Sequence, residues 1–233
     1  MVTRGDAKPL ARALRKLMPA LGAARDWDVF CAWLAGLEDR AQPEMRALLA
    51  AARRRRGAAR RAARATVSSA AYQGFLLRAL RWLHDAPWQR QAKFRDLPLA
   101  AFAARSLERL HRKVAQHGHG GHALSAAQRH ALRIRIKRLR YACEFFAPCF
   151  ARAVVKPFLK RLEVLQDILG ELNDATVARR LLAGLAPRGS AAPLAAAAGR
   201  VRRALAARER ALLRSLEPAW AAFEKRRPFW RPR

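Results

Sequence analysis

Four side chains able to hold a phosphate chain recur at helical spacing in "HALRIRIKRLRYACEFF", His130 to Phe146. They are His130, Arg133, Lys137 and Arg140, and Glu144 closes the series. Intervals of 3, 4, 3 and 4 put all five on one stripe of a helix that turns about 100° per residue. Arg offers a planar fork matched to phosphate oxygens and Lys a point charge. A His held among cations stays mostly neutral unless an anion raises its pKa. Successive side chains on such a stripe lie about 5 to 6 Å apart along the axis, a workable ladder for repeating phosphates.

The rest of the helix says where that stripe should point. Leu132, Ile136, Leu139, Cys143 and Phe146 form an apolar stripe on one side, and Ile134, Tyr141 and Phe145 form another on the other side. Arg135 and Arg138 point away from the basic stripe. Two apolar flanks are expected to pack on neighbouring helices, which would turn the stripe between them toward an internal groove. Burying several like charges without a counterion costs many kcal/mol, so either water or an anion should fill that groove. The plainer alternative is a solvated amphipathic helix whose stripe does nothing.

The elements that would position these residues read as all-α. Ala, Leu and Arg dominate, Pro and Gly fall where helix boundaries would be, and runs of alternating β-branched residues are absent. The pattern predicts helices near 8–20, 25–38, 43–66, 70–84, 99–116, 125–148, 152–170, 173–184 and 194–226, long enough and closely enough joined for bundles. "VAQHGHGGHALS" (Val114 to Ser125) is the best candidate linker. It divides the chain into a first half at 1–116, a Gly/His linker at 117–124 and a second half at 125–233.

An internal repeat supports two halves. "LGAARDWDV" (Leu21 to Val29) resembles "LGELNDATV" (Leu169 to Val177) at an offset of 148, pairing Gly22 with Gly170 and Asp26 with Asp174. Upstream, Leu14 and Leu17 pair with Leu162 and Leu165, and Arg12 with Lys160. Each Gly followed four residues later by Asp reads as a helix end and the cap of the next helix. A structural role for these motifs is favoured over ligand contact.

Composition points to a polyanion. The formal net charge is +31, from 48 Lys and Arg against 17 Asp and Glu, far beyond what solubility requires. Arg supplies 40 of the 48, so codon bias in a GC-rich genome accounts for a share of the excess. Three cysteines without a CxxC pair suit a reducing compartment. The N-terminal stretch has no secretory pattern and no segment approaches 18 apolar residues, so a soluble, cytoplasmic protein is expected, without membrane association.

Several other features carry less. "RRRR" (Arg53 to Arg56), with Arg60, Arg61 and Arg64, spreads charge around its helix and reads as a solvated or polyanion-attracting outer face. His117, His119 and His122 lie among glycines without a carboxylate or Cys nearby, which favours a flexible linker over a metal site. Trp27, Trp33, Trp82, Trp88, Trp220 and Trp230 sit on apolar faces and read as packing anchors. Asp26 and Asp28 could chelate Mg²⁺, but the repeat carries Asp174 and Thr176, so the second carboxylate is not shared. There is no phosphate-binding glycine loop, nucleophile motif or carboxylate cluster for phosphoryl transfer. Binding without turnover is expected, with no cofactor and no metal.

With these residues in view, the sequence resembles the CHAD family, the conserved histidine α-helical domain. "HALRIRIKRLRYACEFF" is similar to its signature helix and "LQDILGELNDATV" to the segment that follows; "YQGFLLRALRWL" and "WAAFEKRRPFW" are similar to family positions as well. The resemblance implies an all-α fold of two pseudo-symmetric helical bundles of the four-helix type, enclosing a basic cavity that binds inorganic polyphosphate. It places His130, Arg133, Lys137 and Arg140 in the cavity wall, with Lys160, Arg12, Arg64, Arg78 and Arg208 as weaker candidates. The family's first half should open with its own signature helix, which the offset of 148 would place before Met1. The first half is therefore expected to lack that helix, and a half-site completed by another chain, as in a homodimer, is one consequence.

The leading expectation is non-catalytic polyphosphate binding through the basic groove, serving to target proteins to polyphosphate granules or to regulate a triphosphate-processing partner of the CYTH type. The alternative is a basic helical protein that binds nucleic acid. Against specific nucleic-acid binding stands the absence of a recognised motif and a stripe expected to face inward, whereas a duplex needs an external surface.

Overall fold

A computed structural model describes residues 4–37, 41–86, 97–118, 124–187 and 189–231. Seven α-helices are found among the described residues: α1 (Arg4–Ala35), α2 (Pro43–Val67), α3 (Ala70–Asp85), α4 (Leu99–Gly118), α5 (Ala126–Phe146), α6 (Arg152–Leu185) and α7 (Ala192–Glu224). A 3₁₀ turn at Ala147–Cys149 follows α5. The all-α reading is correct, and no helix among the described residues is long and apolar enough to cross a membrane.

Local chemistry accounts for several boundaries. Pro43 opens α2 at a position where its missing N–H costs nothing. Ser69 caps α3 by accepting from the Tyr72 N–H. Ser125 and Gln128 form a capping box: the Ser125 N–H donates to Gln128 Oε1 at 2.8 Å, and the Gln128 N–H donates to the Ser125 hydroxyl at 3.3 Å. That box sets the start, and so the face, of the helix that carries the basic stripe.

Two expected breaks do not occur. Residues 8–20 and 25–37 belong to the single helix α1 or its C-terminal turn, residue 38 lying outside the described residues, and 152–170 and 173–184 are both within α6. Gly22 and Gly170 are thus interior helix residues, not ends, and Asp26 and Asp174 do not cap new helices. A helix interior tolerates one Gly at about 1 kcal/mol, and Leu169 and Leu172 on either side of Gly170 are both buried, which keeps that face packed through the glycine. The continuous helices start at matching places, since Arg4 and Arg152 are also 148 residues apart.

Compactness divides the chain elsewhere than at 117–124. One unit comprises residues 1–95 and 177–202, the other 96–176 and 203–233, so α6 and α7 each contribute to both. Helix α4 packs directly on α5 within the second unit, where the sequence reading placed them in different halves. Of the expected linker, residues 119–123 lie outside the described residues. His117 and Gly118 end α4, and Gly118 is a packing glycine, because a Cβ there would overlap the ring of Trp220.

In the second unit, the core gathers Leu132, Ile136, Leu139, Cys143 and Phe146 of α5 against Phe158, Leu162, Leu165 and Leu169 of α6, with α4 and α7 adding Leu107 and Phe223. Trp230 packs against Phe158 and Phe229 in an aromatic cluster that includes His111, whose pKa burial pushes down. Its indole donates to Glu108 at 2.9 Å, and Arg231 donates to both oxygens of the same carboxylate. In the first unit Leu17, Phe30 and Leu34 of α1 and Met45 and Leu48 of α2 are buried, while α3 buries no residue. Asp28 accepts from Arg60 of α2 at 2.8 Å, and Asp26 accepts from Arg180 of α6 at 3.2 Å. Both aspartates are thus engaged by arginines of neighbouring helices.

Candidate functional site

The buried stripe of α5 decides where its basic stripe lies. Once Leu132, Ile136, Leu139 and Cys143 face the core, Arg133, Lys137 and Arg140 fall at its half-buried edge and His130 is exposed. The second expected flank does not pack: Phe145 is 77% exposed and Tyr141 lies open too, while Ile134 is half-buried. One apolar stripe, not two, holds the helix in place: Leu132, Ile136, Leu139, Cys143 and Phe146 are all buried, whereas the other stripe has only Ile134 half-buried. The basic stripe is therefore bordered by core on one side and open surface on the other.

Each cation on this edge has a defined neighbour. His130 Nδ1 lies 2.7 Å from Asn173 Oδ1, within hydrogen-bond distance. Asn173 is oriented in turn by its amide donation to Asp174 at 3.4 Å. Arg133 Nε is buried without a hydrogen-bond partner, and it lies 3.7 Å from where a Cβ on Gly170 would sit. The Lys137 ammonium sits 5.4 Å from the centre of the Tyr141 ring, a cation–π contact. Arg140 donates to Glu144 at 2.8 Å, and that hydrogen bond raises the arginine's pKa.

The weaker candidates separate into two groups. Lys160 donates to Glu163 at 2.9 Å, which lowers the pKa of that carboxyl, and Arg208 pairs with Glu171. Arg140 and Lys160 meet in one pocket of about 970 Å³ at the junction of α5 and α6, which Arg152, Lys156, Glu144 and Glu163 also line. Arg12 and Arg78 meet in another, of about 430 Å³, between α1 and α3 of the first unit. Arg64 joins neither: it is exposed in the last turn of α2.

Sequence reasoning missed Lys8, Lys16, Arg152 and Lys156. A signal for two of them was present, since "KPLAR" (Lys8 to Arg12) and "KPFLK" (Lys156 to Lys160) stand at the same offset of 148 as the glycine motifs. It also missed a groove of about 460 Å³ between α4 and α5, where Arg135 and Arg138 join Lys113 and His117. Arg138 is exposed as expected, but Arg135 is half-buried in this groove. Arg53, Arg54 and Arg55 form the exposed outer face anticipated for α2. Trp220 and Trp230 are core residues; Trp88, His119 and His122 lie outside the described residues.

What the arrangement can do chemically is hold an extended anion. It presents guanidinium and ammonium groups on packed helices, one of them with an unsatisfied buried donor. Comparison with known families finds that the model of the CHAD domain matches residues 1–183. No curated protein matches the chain.

Proposed function

The chain belongs to the CHAD domain family, and on that premise we propose that it binds inorganic polyphosphate without turning it over. The observation that carries this reading is the edge of α5. There Arg133, Lys137 and Arg140 are held at ladder spacing by the buried face of their own helix, and Arg133 Nε lacks a partner. Charge-assisted hydrogen bonds from these guanidinium and ammonium groups to phosphate oxygens would supply the affinity. His130, Lys160, Arg208, Arg12, Arg64 and Arg78 are further candidates for contact along a long chain.

Pseudo-symmetry of two bundles is part of the proposal, supported by the matched register of α1 and α6. Targeting to polyphosphate granules, or regulation of a CYTH-type triphosphate-processing protein, would follow from the same binding in the cytoplasm. A second reading, non-specific nucleic-acid binding, is favoured by the exposed Arg53, Arg54 and Arg55 face.

The test is competition. Labelled long-chain polyphosphate is bound at about 0.15 M salt, where exposed contacts are screened, and challenged with duplex DNA at equal phosphate. Polyphosphate should survive the challenge. Arg133→Ala/Lys137→Ala/Arg140→Ala should weaken it at least about tenfold, and a triple Ala change at Arg53, Arg54 and Arg55 should weaken it much less. Equal competition by DNA with equal losses in both variants would replace the proposal by diffuse surface charge.

A further inference from the structure

We infer that the pocket where α5 ends and α6 begins is a binding site for a single-chain amphipathic carboxylate, a ligand with one anionic end and an alkyl body. At about 970 Å³ it is more than twice the size of the α1–α3 and α4–α5 pockets, at about 430 and 460 Å³. It stands at the upper end of the range that small-molecule sites occupy, about 300–1,000 Å³. All its lining residues belong to the second unit. Much of its wall is carbon: Val155 is buried, Phe150 and Leu159 are half-buried, and Ala147, Pro148 and Pro157 complete it. Phe150 is held by an edge-on contact with Phe229, the ring centres 5.0 Å apart. The two proline rings have no rotamer freedom to lose when a ligand covers them. An alkyl chain gains by leaving water for such a wall, whereas a phosphate chain would lose hydration there without meeting a donor.

The charges around the wall select the head group. Arg140 is tied to Glu144 at 2.8 Å and Lys160 to Glu163 at 2.9 Å, so two of the pocket's four cations are already matched. Arg152 and Lys156 form no ion pair among the described residues. They stand four residues apart in the first two turns of α6, about 6 Å along its axis, and both are exposed. One guanidinium and one ammonium beside an apolar wall suit a single carboxylate, not a run of phosphates. Arg152 can fork onto both carboxylate oxygens, and the low-dielectric wall strengthens its pull. Arg152, Val155, Lys156 and Leu159 follow one another at i, i+3, i+4 and i+7, so a single helix face meets both the head and the start of the tail. The repeat isolates the apolar part. At the offset of 148, Arg152 and Lys156 correspond to the basic residues Arg4 and Lys8, but Val155 and Leu159 correspond to Ala7 and Ala11. The cations are thus common to both copies, and the large apolar side chains between them belong to α6 alone.

The inference does not rest on polyphosphate binding, since its ligand carries one charged end and no phosphate. Its test is calorimetric titration of the full chain with octanoate, decanoate and dodecanoate, each below its micellar concentration, at about 0.15 M salt, where exposed charge is screened. Decanoate should bind saturably at one site, and affinity should rise at least about twofold for each added methylene the wall encloses. Decan-1-ol, which has the same tail without the charge, should bind at least about tenfold more weakly. Arg152→Ala/Lys156→Ala should lower decanoate affinity at least about tenfold. Both side chains are exposed, so the thermal midpoint should not move. The triple Ala change at Arg53, Arg54 and Arg55 should leave decanoate affinity within about twofold. The inference is overturned if decanoate shows no saturable binding, or if affinity is the same for all three chain lengths, which would mark a plain anion patch. It is equally overturned if Arg152→Ala/Lys156→Ala binds decanoate unchanged, or if the α2 triple variant loses as much.

Discussion

Helices α1 and α6 are two copies of one sequence pattern set in different surroundings. Both begin at equivalent positions, carry Lys-Pro near the start and carry Gly and Asp at the same offsets. Yet Leu162 is fully buried, whereas its counterpart Leu14 is 42% exposed. The second copy lies under α5, whose Leu132 and Ile136 share its core cluster; the first copy packs on α2 and α3, and α3 buries nothing. One charge differs in the same sense. Lys160 is paired with Glu163, while among the described residues its counterpart Arg12 forms no ion pair; Arg208 and its counterpart Arg60 are both paired, with Glu171 and Asp28. A repeat therefore conserves a helix and its spacing more readily than it conserves what surrounds them.

The sharpest test of that difference is a pair of identical truncations. Leu162→Ala should destabilise the protein by about 2–5 kcal/mol in urea unfolding, and Leu14→Ala by less than about 0.5 kcal/mol, because only the first leaves a cavity. Equal losses would mean that Leu14 is covered in solution.

Acid should act on the second unit through Glu108. The hydrogen bond from Arg231, aided by the Trp230 indole, holds its carboxyl at about 2, below its ordinary 4.5. A depressed carboxyl stabilises the fold fully above its unfolded pKa and loses that contribution as pH falls from about 4.5 toward 2. Allowing for its partial exposure, this is worth about 1–2 kcal/mol. Glu108→Gln should therefore be less stable than wild type at pH 7, with the gap closing by about pH 2. A gap independent of pH would assign Glu108 a packing role instead.

The counter-charges of the second copy should cost affinity. Glu144→Gln/Glu163→Gln/Glu171→Gln frees Arg140, Lys160 and Arg208 and should tighten long polyphosphate about fivefold, each exposed pair being worth under about 1 kcal/mol. No tightening would show that these pairs open without penalty when ligand arrives.

The smallest effect concerns the repeat glycines. A Cβ on Gly22 meets nothing within 4 Å, so Gly22→Ala should raise stability by about 0.5–1 kcal/mol through helix propensity alone. Gly170→Ala gains the same propensity but touches Arg133 Nε at 3.7 Å, and should shift polyphosphate affinity where Gly22→Ala does not. If both leave affinity unchanged, Gly170 has no part in placing Arg133.

The sequence by itself determined that the chain is helical, that α5 carries its basic stripe beside apolar ones, and that residues 148 apart are equivalent. These follow from periodicity and spacing, which are local. The family resemblance named the residues that meet, Arg140 with Lys160 and Arg12 with Arg78, although not as pairs. Only tertiary structure decided that Gly22 and Gly170 lie inside helices, since packing on both sides of Gly170 outweighs the weak helix-breaking tendency of one glycine. It likewise decided that Tyr141 and Phe145 remain open, and that the compact units exchange parts of α6 and α7. Whether a cation meets a carboxylate or another cation depends on neighbours hundreds of atoms away along the chain, such as Glu171 for Arg208. Charge pairing across helices leaves no periodic trace in the sequence, because it is set by which faces pack and not by the order of residues along any one of them.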